Sequence, residues 1–344
     1  MKVLAVVGNR PQFVKSAPLS VALRDAGVHE VVLHTGQHYD PELSQVFFDE
    51  LALAEPKYGL DLHTADPDAM APHIREAVRR ERPDWVLVYG DTNSTLAGAR
   101  AAVSERVPLA HVEAGLRSGD LSMPEERNRI EVDRVAQLRL APDERSRETL
   151  LAENDGGRIE VVGDVMRDAL DLFTPIALRD AAAHEKPYAV LTLHRAANTE
   201  PERLRRIISA LCETGWAFVF PVHPRTRHVM EEHAIEPAPS VHTVAPLGYL
   251  AMLALVADAS RVVTDSGGLQ KEAYWLRVPC ITLRPSTEWT DTVRAGANTL
   301  VDPADPRDLT SALDSATFPA DAPTLYGDGK AAGRIVDALY PSRA

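Results

Sequence analysis

Eleven short apolar runs rich in valine, leucine and isoleucine recur along the chain, and longer amphipathic segments separate most of them. This alternation is typical of strand–helix–strand units built around a parallel sheet. Eleven strands are too many for one compact doubly wound domain of this length, so the pattern predicts an α/β protein with more than one sheet. The runs cover residues 3–7, 30–34, 85–89, 109–112, 138–141, 160–162, 189–193, 217–222, 241–244, 261–264 and 280–283.

The length of 344 residues is that of about two average domains. The regular alternation pauses through residues 168–186 before Pro187 begins the next apolar run. We therefore expect a first domain over residues 1–167 and a second over residues 168–323. The segment 324–344 follows them, and its residues 327–339 read as a helix.

Charge and cysteine content exclude several classes of protein. The net charge of −13 and the lack of a Lys/Arg-rich block argue against nucleic acid or an anionic membrane as a partner. Cys212 and Cys280 cannot build a disulfide framework, and the first apolar run is too short for a signal peptide or a membrane span. His34 and His38 flank a glycine in a loop, so no metal site is predicted. The protein is expected to be cytoplasmic.

Polar residues follow seven of the runs, at the strand ends where open parallel sheets bind ligands. A lone histidine after a strand is more often a loop cap than a ligand. Seven polar strand ends, spread over both halves, instead indicate a binding site. The carboxylates Asp91 and Glu113 end consecutive runs, where partial burial can adjust their pKa for proton transfer.

Glycine and carboxylate positions narrow the chemistry further. Gly267 and Gly268 precede a helix pattern, which suits an anion at a helix N-terminus. There is neither a G-x-G-x-x-G fingerprint nor a phosphate-loop motif, and Ser266 is not in a G-x-S-x-G elbow, which argues against dinucleotide enzymes, NTPases and serine hydrolases. Glu125 fits a capping box with Ser122 as well as it fits a catalytic role.

Together these motifs resemble the non-hydrolysing UDP-N-acetylglucosamine 2-epimerases. The resemblance implies a GT-B fold, in which two Rossmann-like parallel-sheet domains face a central cleft and the C-terminal helix crosses back to the first domain. It also implies a homodimer that acts on a UDP-sugar without a cofactor. The matching segments cover nearly the whole chain in order: 8–15, 35–40, 89–95, 111–118, 124–129, 162–166, 193–195, 223–226, 264–273, 287–289 and 326–330.

The same resemblance implies inversion at C2 of the sugar through elimination and re-addition of UDP. By motif position it assigns acid/base or intermediate-stabilising work to Asp91, Glu113, Glu125 and His194. It assigns substrate binding to Arg10, Lys15, Arg129, His223, Met252, Ser266, Gly267, Gly268 and Glu272. Which carboxylate removes the proton stays open at this point.

Three positions depart from the family pattern, and other functions compete. Ala197 stands where relatives usually carry a glutamate. Trp289 occupies a position that is arginine in some bacterial members, and Met252 lies where an aromatic residue packs on uracil in those members. Residues 12–13, 223–225 and 288–289 look closer to a branch that includes UDP-2,3-diacetamido-2,3-dideoxy-glucuronate 2-epimerases. The alternatives are therefore that uronate substrate, a hydrolysing 2-epimerase that releases UDP and N-acetylmannosamine, a GT-B glycosyltransferase, or a nucleotide-sugar sensor without catalysis.

Overall fold

The computed structural model describes residues 1–37, 56–153, 156–179, 181 and 184–340. It divides the chain into two compact units. Unit 1 comprises Met1–Leu172 and Tyr326–Ala344, and unit 2 comprises Phe173–Leu325. None of the helices in these described ranges combines the length and the apolar character that a membrane crossing needs.

Unit 1 is built on a seven-stranded sheet in which every neighbouring pair is parallel, in the order β3-β2-β1-β4-β5-β6-β7. Its strands are β1 (Lys2–Val7), β2 (His29–His34), β3 (Tyr58–Gly59), β4 (Trp85–Tyr89), β5 (Leu109–Val112), β6 (Leu138–Ala141) and β7 (Arg158–Val161). Its helices are α1 (Arg10–Asp25), α2 (Pro67–Glu81), α3 (Asn93–Glu105), α4 (Pro124–Val135) and α5 (Glu144–Glu153), followed by α6 (Val165–Ala177), which continues into unit 2.

Unit 2 has a six-stranded parallel sheet in the order β10-β9-β8-β11-β12-β13. Its strands are β8 (Tyr188–Thr192), β9 (Ala217–Pro221), β10 (Val241–Val244), β11 (Arg261–Thr264), β12 (Cys280–Leu283) and β13 (Asn298–Val301). Its helices are α7 (Pro201–Glu213), α8 (Pro224–Glu232), α9 (Tyr249–Ala257), α10 (Gly267–Trp275), α11 (Thr290–Arg294) and α12 (Leu309–Ser315).

Helix α13 (Ala331–Leu339) returns the chain to unit 1, where it packs against α1 and β6. The Asp168 carboxylate accepts hydrogen bonds from the backbone N–H groups of Ala331 and Ala332, at 3.1 and 2.8 Å, and so satisfies the first donors of this helix. The predicted fold of two parallel-sheet α/β domains, with a C-terminal helix returning to the first, is confirmed.

The C-terminal helix begins four residues later than the pattern predicted. Gly327 and Gly329 adopt positive φ values of 111° and 75°, which a right-handed helix does not contain.

Buried valines and leucines fill the central strands, and in β1 every residue after Lys2 is buried. The sheets thereby hold the polar loops after each strand on rigid supports.

Candidate functional site

Two ion pairs lie where β4 and β5 end in unit 1. Glu113 pairs with Lys15 of α1, and Asp91 pairs with Arg129 of α4; all four side chains are less than 30% exposed. Burial would lower the pKa of Lys15, but the carboxylates of Glu113 and Asp91 outweigh it and hold that pKa above its ordinary value. The two carboxylates are thus each fixed beside a cation, in one polar cluster.

The backbone at Glu113 is strained. Its φ is +71°, in the left-handed region that non-glycine residues rarely adopt. Gly90, at the end of β4, also has a positive φ of 63°, and a Cβ there would stand 3.3 Å from Lys15 Nζ and 3.4 Å from Glu113 Oε2. A side chain at position 90 would therefore press on the ion pair. Strain of this kind concentrates at functional sites.

Glu125 is exposed in the first turn of α4, and the capping-box hypothesis for it is wrong. The cap of α4 is Met123, which offers no side-chain hydrogen bond. Ser122 lies one residue before this cap, and its hydroxyl donates to Asp120 Oδ1 at 2.6 Å. Glu125 therefore has no capping partner to explain its presence here.

Glu126, the next residue, was not singled out by the sequence. Its buried carboxylate accepts the backbone N–H groups of Ser118 and Gly119 and pairs with Arg129 Nη1 at 3.0 Å. Burial would raise its pKa, but these N–H donors and Arg129 hold the pKa below its ordinary value. Glu126 therefore holds Arg129 in place. The sequence signal for this pair was the spacing of three residues between the glutamate and the arginine on one helix.

In unit 2, Asp265 organises the loop after β8. Its buried carboxylate accepts the backbone N–H groups of His194 and Arg195 and lies 2.9 Å from His194 Nδ1. Burial would raise the pKa of Asp265, but the bonds from His194 and Arg195 hold it below its ordinary value. Because Nδ1 is directed at Asp265, Nε2 is the ring nitrogen of His194 that remains for a ligand. The sequence assigned no role to Asp265.

The first turn of α10 has the form of an anion site. Ser266 caps the helix by accepting the N–H of Leu269. No atom lies within 4 Å of the place that a Cβ on Gly268 would occupy, whereas a Cβ on Gly267 would stand 2.5 Å from Glu288 Oε1. A ligand can therefore approach the backbone closely at Gly268, where the free N–H groups of the helix favour negative charge.

His223 caps α8, because its Nδ1 accepts the backbone N–H of Arg225 at 3.2 Å. A backbone N–H only donates, so Nδ1 carries no proton and the neutral ring is protonated on Nε2. Burial, then His194 and Arg225, lower the pKa of His223. Its ring centroid lies 5.8 Å from that of His194. The two predicted histidines are thus neighbours.

The remaining predicted substrate-binding residues are Arg10, Glu272 and Met252. Arg10 is half-buried at the start of α1, Glu272 is half-buried on α10, and Met252 packs on α9 against the apolar core beside β8 and β11. His38 lies outside the described residues. Within the described ranges, no three His, Cys, Asp or Glu side chains are grouped as a metal ion would require.

The amino-acid sequence is similar to a known family and to named relatives. The family model described as UDP-N-acetylglucosamine 2-epimerase matches residues 22–340. A UDP-N-acetylglucosamine 2-epimerase homolog of Methanococcus maripaludis is 44% identical over 88% of each chain. The UDP-2,3-diacetamido-2,3-dideoxy-D-glucuronate 2-epimerase of Pseudomonas aeruginosa is 41% identical over 98% of this chain and 99% of its own.

A solved structure of a relative has a similar fold. The crystal structure of the Methanocaldococcus jannaschii UDP-GlcNAc 2-epimerase in complex with UDP-GlcNAc and UDP matches with a TM-score of 0.82 at 36% identity, over 98% of this chain and 99% of that one. The fold is therefore shared along nearly the full length of both chains.

Proposed function

Because the chain belongs to the UDP-N-acetylglucosamine 2-epimerase family, we propose that it is a non-hydrolysing epimerase that converts UDP-N-acetylglucosamine to UDP-N-acetylmannosamine. The observation that carries the proposal is the pair of carboxylates at the ends of β4 and β5, each beside its own cation. Inversion at C2 requires groups that remove and return a weakly acidic proton, and positioned carboxylates do this work.

The proposed reaction is an anti elimination followed by re-addition. The C2–H bond breaks, its electron pair forms the C1–C2 double bond of 2-acetamidoglucal, and the C1–O bond breaks with its electron pair leaving on UDP. UDP then adds back to C1 while a proton reaches the opposite face of C2. Neither water nor an oxidant is consumed.

We assign the proton transfers and stabilisation of the intermediate to Asp91, Glu113, Glu125 and His194. The support for Asp91 and Glu113 is their fixed, partly buried position, and for His194 it is the ring orientation set by Asp265. Lys15 and Arg129 supply positive charge against the departing diphosphate. Such fixed charges act most strongly where charge develops in the transition state.

UDP binding is assigned chiefly to residues of unit 2. The diphosphate would meet the N–H groups of the first turn of α10, at Ser266, Gly267 and Gly268, and the Nε2–H of His223. Glu272, one turn further along α10, would accept hydrogen bonds from ribose hydroxyls, and Met252 would pack on uracil. Arg10, at the start of α1, is also assigned to substrate binding.

Phosphorus NMR of the enzyme with UDP-N-acetylglucosamine alone tests the proposal. A new pair of UDP-sugar signals should grow until the two epimers reach equilibrium, with no build-up of free UDP. Accumulating UDP would instead indicate the hydrolysing 2-epimerase. A requirement for an added acceptor would indicate a glycosyltransferase, and binding without any turnover would indicate a sensor.

The second candidate is a UDP-2,3-diacetamido-2,3-dideoxy-glucuronate 2-epimerase, favoured by the 41% identity to the Pseudomonas protein of that name. Its substrate carries a carboxylate that calls for a cation. Arg225 is better placed to supply it than Arg284 or Arg294, because Arg225 is exposed and donates to the His194 carbonyl at 3.4 Å. Arg284 is paired with Glu288 and Arg294 with Asp291.

A substrate panel with Arg225→Gln separates the two candidates. If the uronate is the substrate, this variant should lose kcat/KM for the uronate by roughly 10-fold or more, as expected for one charged hydrogen bond. Its kcat/KM for UDP-N-acetylglucosamine should change little. Equal loss on both substrates would assign Arg225 to the shared UDP moiety.

The proposal extends to a cytoplasmic homodimer. Support for a reducing compartment is that both cysteines are free and that Cys280 is buried, where burial raises the pKa of its thiol to about 12. The homodimer rests on the family resemblance. Sedimentation of the purified chain would test it, and a monomer at all concentrations would contradict it.

A further inference from the structure

His111, on β5, is a fully buried histidine whose two ring nitrogens both have partners. Nε2 lies 2.7 Å from the Gly90 carbonyl oxygen, and Nδ1 lies 2.6 Å from Asp133 Oδ1 of α4. Each ring nitrogen therefore has an oxygen atom as its partner. A structural histidine in a core normally needs one donor and one acceptor, so its two partners decide its protonation.

Both partners of His111 accept hydrogen bonds only. A carbonyl oxygen has no proton to give. Burial would raise the pKa of Asp133, but His111, Arg117 and the Gly115 N–H hold that pKa below its ordinary value, so the carboxylate is ionised. With two acceptors facing it, the ring satisfies both contacts only when each nitrogen carries a proton.

Charged side chains approach this ring or its partner Asp133 from α4, the loop after β5, α5 and β6. Asp133 faces it from α4, and Arg117, from the loop after β5, lies 2.8 Å from the other oxygen of Asp133. Glu153 of α5 pairs with the far side of Arg117. Arg139 is the register neighbour of His111 on β6, and its guanidinium donates to the Gly157 carbonyl. The Asp133 carboxylate thus contacts both the His111 ring and the Arg117 guanidinium.

His111 connects the two strand ends that carry the candidate carboxylates. The carbonyl it binds belongs to Gly90, immediately before Asp91, while His111 itself lies two residues before Glu113. Asp133 also accepts the N–H of Gly115, two residues beyond Glu113. A single imidazole therefore fixes the end of β4 against the end of β5.

We propose that His111 is a positioning residue, held as a doubly protonated imidazolium between Asp133 and the Gly90 carbonyl, which sets the separation of the Asp91 and Glu113 carboxylates. The proposal rests on the proposed function where it names those carboxylates as reacting groups. Its statement about protonation rests on the two hydrogen bonds of the ring and on the ion pair between Asp133 and Arg117, and is independent of the proposed function.

Nitrogen NMR of the wild-type chain labelled with 15N-histidine tests the protonation. At neutral pH, one ring should show two protonated nitrogens whose N–H protons exchange slowly with water. Loss of that signal in His111→Gln assigns it, and a perturbed signal in Arg117→Lys assigns it independently if the first variant does not fold. A neutral tautomer at His111 would overturn the proposal.

Kinetics test the positioning role. His111→Gln keeps an amide donor but spans only one of the two contacts, so kcat should fall by roughly 10²-fold, the scale expected for misplaced reacting groups. The Kd for UDP should stay within about threefold, because the assigned UDP contacts lie chiefly in unit 2. His228→Gln is the matched control, since the His228 side chain is 77% exposed, and its kinetics should be unchanged.

The outcomes separate this proposal from the proposed function. A kcat within twofold of wild type in folded His111→Gln, or a parallel loss of UDP binding, would overturn the positioning role. A wild-type chain that turns over no UDP-sugar would instead defeat the proposed function, and the nitrogen spectrum would still decide the state of His111.

Discussion

Glu113 combines a strained backbone with an ion pair to Lys15, and this combination is what distinguishes it from an ordinary surface glutamate. A side chain that is 15% exposed and paired with a partly buried cation contributes to the structure, whatever its part in the chemistry. A test of its role must therefore remove the charge without removing the shape.

Glu113→Gln does so, because it keeps the size and the hydrogen-bonding capacity of the side chain. Turnover of the UDP-sugar should fall by at least roughly 10²-fold, the usual contribution of a general acid or base. The UDP affinity measured by calorimetry should change little. Full turnover in this variant would remove Glu113 from the reaction. Glu131→Gln, on a half-exposed side chain of α4, is the control and should be active.

Single residues were predictable where they follow a strand and not where they act through a distant partner. Asp91 and Glu113 were singled out because apolar runs end beside them. The role of Asp265 was missed because its partner His194 is 71 residues away, and that of Glu126 because its backbone partners lie in a loop without a local signature. Such contacts exist only once the chain has folded.

At the scale of elements, Glu81 ties the edge strand β3 to helix α2. Its side chain is 6% exposed, lies 2.6 Å from Lys57 Nζ and 3.2 Å from Lys2 Nζ, and accepts the Tyr58 hydroxyl at 2.6 Å. Lys57 and Tyr58, followed by Lys2, lower the pKa of Glu81 from 4.5 to about 2, against the opposing effect of burial. A short edge strand gains a fixed position from this contact.

Glu81→Gln should lower the free energy of unfolding near neutral pH by roughly 1–3 kcal/mol, the scale of hydrogen bonds to a charged group. Because the folded pKa is lowered, the stabilisation is complete above pH 4.5 and is lost as the pH falls towards about 2. Urea unfolding should thus show the gap between variant and wild type narrowing with acid. A gap that does not change with pH would contradict this. Glu76→Gln, 65% exposed, is the control.

The N-terminus of α10 is the element to which the proposed function assigns the diphosphate of UDP. Gly268→Ala meets no atom within 4 Å in the protein, so its melting temperature should be unchanged. The added methyl group would occupy the approach of the diphosphate, and the UDP affinity should fall by roughly 10-fold or more. Gly333→Ala on α13, also unobstructed, should leave the affinity unchanged. Equal UDP affinity in Gly268→Ala would contradict the assignment.

Most elements were predictable because their apolar runs are continuous and buried. The two strands that the pattern missed, β3 and β13, are both at sheet edges. β3 has only two residues, Tyr58 and Gly59, and β13 reads Asn-Thr-Leu-Val. A strand paired on one side only needs less apolar sequence, so periodicity alone does not reveal it.

At the scale of the whole molecule, the net charge of −13 contrasts with the negative charge of the proposed substrate. Lys15, Arg129 and the positive end of α10 place positive charge locally, and each cation is balanced or positioned by the protein itself. The net charge therefore predicted which partners to exclude, while the identity of the ligand depended on motifs. Periodicity and charge predicted the fold class, whereas the reaction came from the family resemblance.

The central claim is that a proton leaves C2 and returns to its opposite face. Incubation of the enzyme with UDP-N-acetylglucosamine, and in parallel with the diacetamido-uronate analogue, in D2O tests this most directly by proton NMR. The account predicts deuterium at C2 and formation of the manno epimer for at least one of the two. Recovery of both UDP-sugars with protium at C2 and unchanged configuration would contradict it.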